Sequence, residues 1–119
     1  MYHNQAIGKI GEDVSLEYLK SQGLTLVERN LNMKVSEIDL IMLDKAGITH
    51  FIEVKTGMLG GKFVFDNLSS LKRRKLARAV GIYISKFRIS NFQIDFVFVS
   101  LNMQTRRAKL EVMWDQILE

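Results

Sequence analysis

Charged and apolar residues alternate through Glu37-Ile38-Asp39-Leu40-Ile41 and again through Phe51-Ile52-Glu53-Val54-Lys55. A period of two is the mark of a strand with one polar face. It places Asp39 on one face of its strand and Glu53 with Lys55 on one face of the next. Ile38, Leu40, Ile52 and Val54 fall on the reverse faces, as anchors in the core. Between the two strings, Asp44-Lys45-Ala46-Gly47 has the composition of a hairpin turn. Cross-strand neighbours in a hairpin sit about 5 Å apart, so pairing these faces would bring two acids and a lysine together.

The rest of the chain frames that hairpin. Residues 4–22 predict a helix stopped by Gly23, with Ile7, Ile10, Val14, Leu16, Tyr18 and Leu19 spread over more than one face, as in a helix covered on two sides. Glu12 lies in line with Gly8, Leu16 and Leu19, and a carboxylate on such an apolar stripe calls for pairing or coordination. Residues 25–30 carry enough Leu and Val for a first strand, followed by a turn over 32–36. Three glycines between positions 56 and 61 predict a loop after the second polar-faced strand. Leu76, Val80 and Ile84, beside Ala79 and Tyr83, give 69–86 a helical period. The strand 92–99 directs Ile94, Phe96 and Phe98 to one face and Gln93, Asp95, Val97 and Val99 to the other, and a last strand covers 108–113. A helix between the third and fourth strands is what a parallel crossover needs. The expected fold is therefore α/β, a mixed central β-sheet flanked by helices.

Composition narrows the class. The 119 residues, 47% apolar and 25% charged, suit one globular domain over 1–119. There is no cysteine, which excludes disulfides and thiolate metal sites. No apolar run approaches the length of a membrane span, and Met1-Tyr2-His3-Asn4 lacks the layout of a signal peptide, so a cytoplasmic location with no membrane partner is expected. A net charge of +4 invites polyanions. Lys72-Arg73-Arg74-Lys75, with Arg78 a turn later, crowds cations at a helix start, where the helix dipole disfavours each by some tenths of a kcal/mol, roughly. A bound phosphate would reverse that cost, although a charge run is also what a solvated face looks like. Arg106, Arg107 and Lys109 make a smaller cluster near the last strand.

Two acids and a lysine suit phosphodiester hydrolysis. Mg²⁺ or Mn²⁺ neutralises the equatorial oxygens and lowers the pKa of a bound water, and a nearby lysine can hold that water. With His3 and His50 the only histidines, zinc finds few of its usual ligands. Glu12, Asp39 and Glu53 are thus candidate ligands, with Lys55 poised at the water or the scissile phosphate. The plainer account of the same pattern is a solvent-facing hairpin with a surface ion pair of little energetic value.

Asp39 with Glu53-x-Lys55 resembles the PD-(D/E)xK nuclease superfamily. The longer pattern resembles the YraN-like bacterial family, itself similar to archaeal Holliday junction resolvases. It comprises Gly8, Gly11 and Glu12, Leu19 and Gly23, Arg29-Asn30, the run from Glu37 to Ile41, and Phe51 to Thr56. The resemblance implies a restriction-endonuclease-like fold, with Asp39 and Glu53 as metal ligands, Glu12 completing the acidic cluster and Lys55 as catalytic lysine. It implies a Mg²⁺-dependent, structure-selective endonuclease acting on DNA, branched DNA included. A chain with one such site needs a symmetric homodimer to cut both strands of a junction, with Met103, Met113 and Trp114 as candidate contacts. Ser36, Gly57 and Gln93 depart from the family pattern, the last two standing where arginine is common. Loss of those arginines would weaken phosphate contacts more than metal binding. The alternative function is a non-catalytic DNA-binding or complex-forming accessory module on the same scaffold.

Overall fold

The computed structural model describes residues 4–58 and 69–118. The element order is α1 (Asn4–Ser21), β1 (Thr25–Asn32), β2 (Glu37–Leu43), β3 (Thr49–Met58), α2 (Ser70–Phe87), β4 (Phe92–Asn102) and β5 (Arg107–Met113). The strands form one sheet in the order β1-β2-β3-β4-β5. All neighbours are antiparallel except β3 and β4, which run parallel. α2 makes that crossover, as the sequence pattern required.

Local chemistry sets the boundaries. α1 ends where Gly23 takes φ +95, with Gly23 N–H donating to the Lys20 carbonyl and Leu24 N–H to that of Leu19, the paired bonds of a Schellman closure. The β2–β3 turn is tied by Asp44 Oδ1, which accepts from the amides of Ala46 and Ile48. The Ser69 side chain caps α2 by accepting from Lys72 N–H. The loop expected over 56–61 is strand at its first three positions. Thr56, Gly57 and Met58 remain in β3 because the parallel ladder pairs them with Val99, Ser100 and Leu101, while positions 59–61 lie outside the described residues.

The sheet is apolar on both faces. Leu16 and Leu19 of α1 pack with Leu40, Met42, Ile52, Val54, Val97 and Val99. Leu76, Ala79, Val80 and Tyr83 of α2 pack with Ile41, Phe51, Ile94, Phe96 and Phe98. Alternate positions of β3 and β4 thus serve opposite layers, giving the helix–sheet–helix arrangement consistent with a restriction-endonuclease-like domain. Ile38 departs from the expected face. It joins the α2 cluster while Leu40 joins that of α1, so β2 turns at Asp39, the residue between them. Among the described residues no helix is long and apolar enough to cross a membrane.

Candidate active site

The β2–β3 ladder runs from Leu43↔Thr49 to Leu40↔Ile52 and stops. One position further, Asp39 stands opposite Glu53. There the strands part, and the Val54 N–H donates to Asp39 Oδ2 at 2.8 Å, so a side chain replaces a backbone carbonyl. The two carboxyls are near enough that the charge of Glu53 bears on the ionisation of Asp39. Lys55, two residues along β3 and on the same face, places Nζ 3.4 Å from Glu53 Oε1. The hairpin pairing expected from the alternation is what unites these three residues.

Burial and like charge raise both acids. Desolvation and the Glu53 charge push Asp39 up to about 8, with Glu12 adding to the effect, while the Val54 amide and Lys55 oppose it. Burial also raises Glu53, and Lys55 is the chief influence opposing it. A carboxyl pair that retains a proton near neutrality is a site short of positive charge.

A cavity of about 220 Å³ opens over the pair, lined by Glu37, Asp39, Glu53, Lys55, Lys72 and Lys75 among others. α2 therefore brings two cations of its first turns to the wall of this cavity. Arg73, Arg74 and Arg78 are exposed but do not line that cavity, because consecutive residues fan around a helix. Glu37 borders the cavity, and its charge contributes to the raising of Glu53. A second cavity of about 480 Å³, beside the first, adds Gly8 and Glu12 of α1 and Thr56 to Met58 of β3 to the same acids.

Glu12 reaches this site from the opposite layer. α1 packs so closely that a Cβ on Gly11 would meet Thr56 Oγ1 at 1.7 Å. The compensation demanded by its apolar stripe comes from Arg29, whose Nη2 is 3.4 Å from Glu12 Oε1. Arg29 belongs to the family-like pattern, but nothing in the sequence around it indicates this role. Among the described residues no three His, Asp or Glu side chains gather as a metal-holding group. What converges is the Asp39–Glu53 pair, with Glu12 at its margin.

A second polar network was not anticipated. His50, buried on β3, has Nδ1 2.6 Å from Asp95 Oδ2 and Nε2 2.8 Å from Asp44 Oδ2. Gln93 Nε2 and the Asp115 N–H donate to the other oxygen of Asp95, and Trp114 meets the imidazole edge-on at 5.8 Å. An aspartate within the apolar run of β4 was the available signal. Gln93 serves this network, so the glutamine at that position removes no cation from the acidic cavity. Gly57, by contrast, does line the cavity beside Thr56.

The hard oxygen ligands, buried and mutually repelling, fit a divalent cation such as Mg²⁺. Asp39 and Glu53 would hold it.

Comparison with known proteins places the chain. A UPF0102 protein of Clostridium botulinum (strain Loch Maree) is 38% identical over 106 residues, 85% of each chain. One from Clostridium perfringens (strain 13) is 31% identical over 114 residues, 92% of this chain and 90% of its own. Among solved structures, Pyrococcus furiosus SfsA in complex with Ca²⁺ covers 92% of this chain and 60% of its own at 13% identity, with a TM-score of 0.27, too slight a likeness to transfer anything. The profile of the Uncharacterised protein family UPF0102 matches residues 11–99, a stretch that holds Glu12, Asp39, Glu53, Lys55 and the basic start of α2, and the chain belongs to that family, the YraN-like one its motifs resemble.

Proposed function

We propose that this chain is a metal-dependent DNA endonuclease selective for DNA structure, as in Holliday junction resolvases. The observation that carries the reading is the Asp39–Glu53 acid pair with Lys55 beside it, in a cavity whose other wall is Lys72 and Lys75. Mg²⁺ or Mn²⁺, when bound, would supply charge neutralisation at the phosphate and an activated water.

The residues divide the remaining work. Asp39 and Glu53, ionised, would form the anionic cradle for the cation. Val54 N–H fixes one Asp39 oxygen and so orients the other toward the cavity. Lys55, an ammonium beside Glu53, would hold the attacking water or the scissile phosphate by donation; the water's proton passes to solvent as the new P–O bond forms, and the departing oxygen takes one from solvent as the old bond breaks. Lys72 and Lys75 hold the DNA strand by its phosphates, which also offsets the unfavourable placement of cations at a helix start. One acidic pair per chain makes one cut, so resolving a branched substrate takes two copies. Met113 and Trp114, 40% and 41% exposed, are the candidate contacts for a homodimer; Met103 packs partly against the α1-side cluster.

The test is cleavage of junction, flap and linear DNA with and without Mg²⁺ or Mn²⁺, alongside Asp39→Ala, Glu53→Ala and Lys55→Ala. Metal-dependent cutting lost in all three supports the reading. Cutting that survives them belongs to a contaminant. Binding without cutting, weakened by neutralising Lys72 to Lys75 and indifferent to the acids, would instead establish a non-catalytic accessory module.

A further inference from the structure

Arg29 extends from β1 to two carboxylates at consecutive positions of α1. Its Nη1 is 2.7 Å from Asp13 Oδ1 and its Nη2 is 3.4 Å from Glu12 Oε1. The unequal distances rank the two acids. Asp13 is the firm partner, and Glu12 is held at the limit of hydrogen-bond reach. Arg29 Nε is buried with no partner among the described residues, so the guanidinium depends on these two acids for its anchorage.

Glu12 faces two ways. It borders the cavity that contains Asp39, Glu53 and Lys55, and it also borders an adjoining one of about 660 Å³ with Arg29, Asn30 and Glu37. Moving it inward without a cation would set a third carboxylate beside two that already repel each other. A dication at the pair reverses that sign and makes the inward position favourable.

We propose that Arg29 is a positioning residue: braced by Asp13, it parks Glu12 at the margin of the acidic pair and yields it to a divalent cation held by Asp39 and Glu53. The inference rests on the metal-dependent reading above. Asp13 is essential to the arrangement, because it keeps Arg29 paired when Glu12 departs and so removes the cost of an uncompensated cation. This explains why an acid expected among the ligands sits just outside them. It also gives a role to Asp13, a half-exposed residue that lines none of the cavities around the acidic pair.

The test is Mn²⁺ titration by calorimetry on the full chain, with thermal melting to verify folding, and needs no DNA. Glu12→Gln is expected to weaken Mn²⁺ binding by about tenfold or more. Arg29→Gln is expected to tighten it by about two- to fivefold, the strength of a partly exposed ion pair. Asp13→Asn is expected to weaken it, since Arg29 then turns its whole charge on Glu12. The double variant Glu12→Gln/Arg29→Gln should match Glu12→Gln alone, because Arg29 acts only through Glu12. Unchanged or weaker binding in Arg29→Gln, or an Arg29 effect that persists without Glu12, overturns the proposal. Asp13 is 51% exposed, so Asp13→Asn decides the matter even if Arg29→Gln fails to fold, and tighter or unchanged binding there would refute it. Asp39→Asn and Glu53→Gln separate the two levels. If Mn²⁺ binding ignores them, the metal reading falls and this inference with it; if it depends on them but not on Arg29 or Asp13, only this inference falls.

Discussion

Asp39 Oδ2 accepts the Val54 N–H at 2.8 Å across the point where β2 and β3 part company. One carboxylate oxygen thereby closes the sheet while the other remains available to the cavity. Asp39 is thus a structural and a chemical residue at once. Its substitution should be read with that division in mind: Asp39→Asn keeps an acceptor for the Val54 amide, and Asp39→Ala leaves that amide without one.

The raised Asp39 acid makes stability depend on pH in an unusual direction. Above about 4 the unfolded chain releases this proton, whereas the folded chain keeps it until about 8. Folding therefore takes up a proton across that window, and stability falls as pH rises through it, by up to about 1.4 kcal/mol per pH unit. Glu53, also raised, acts in the same sense. Asp44, lowered by its bond to His50, acts in the opposite sense and is lost only on acidification below the ordinary carboxylate range. Urea denaturation without divalent cations should give a lower midpoint at pH 8 than at pH 5.5, with Asp39→Asn flattening the difference. A wild-type midpoint that rises relative to Asp39→Asn over this range would contradict the assignment.

Gly11 sets the distance between α1 and β3. An added methyl would meet Thr56 Oγ1 at 1.7 Å and its Cβ and Cγ2 at 2.7 Å, so Gly11→Ala should cost about 1–3 kcal/mol in urea denaturation. Glu12 is the next residue, so Mn²⁺ affinity should fall too. Gly8→Ala, with nothing within 4 Å of the new Cβ, should instead stabilise by about 0.5–1 kcal/mol. Restoration of stability in Gly11→Ala/Thr56→Gly would attribute the loss to this one contact.

His50 links two aspartates, and Asp95 is fully buried. His50→Leu leaves Asp95 Oδ2 without its partner while Gln93 and the Asp115 amide still hold Oδ1, for which about 1–3 kcal/mol is the expected loss of stability. The network lies three residues back along β3 from Glu53, so Mn²⁺ affinity below the melting range should be unchanged. Coupled loss of metal binding in a folded His50→Leu protein would show that the two networks communicate.

Lys72 and Lys75 line the acidic cavity; Arg73 and Arg74, also exposed, do not. Measured by fluorescence anisotropy against salt, Lys72→Ala/Lys75→Ala should weaken DNA binding and lower the salt slope by about one for each phosphate no longer neutralised. Arg73→Ala/Arg74→Ala should do so less. Equal effects from the two pairs would mean that DNA is held by the general charge of the helix.

Periodicity alone established most of the architecture. The alternation around Asp39 and Glu53 specified two strands with a shared polar face, Gly23 marked the end of α1, and a helix between strands three and four demanded a parallel crossover. These are local signals, since a strand period or a helix stop is written within a few neighbouring residues. The acids and Lys55 were legible for the same reason: they sit on the strands whose pairing brings them together.

Tertiary structure decided what distance along the chain conceals. That Arg29 pairs with Glu12 depends on how β1 packs against α1, and that His50 joins Asp44 to Asp95 depends on β3 lying beside β4. β3 continues through Gly57 because its partner strand supplies the hydrogen bonds that a glycine-rich segment lacks by itself. The choice of Lys72 and Lys75 from four consecutive cations follows from the rotation of α2 over the sheet. In each case a charge or an amide was visible in the sequence. Its partner was set by packing between segments far apart in the chain, because burial makes an unpaired polar group costly and only the assembled fold determines which groups are buried together.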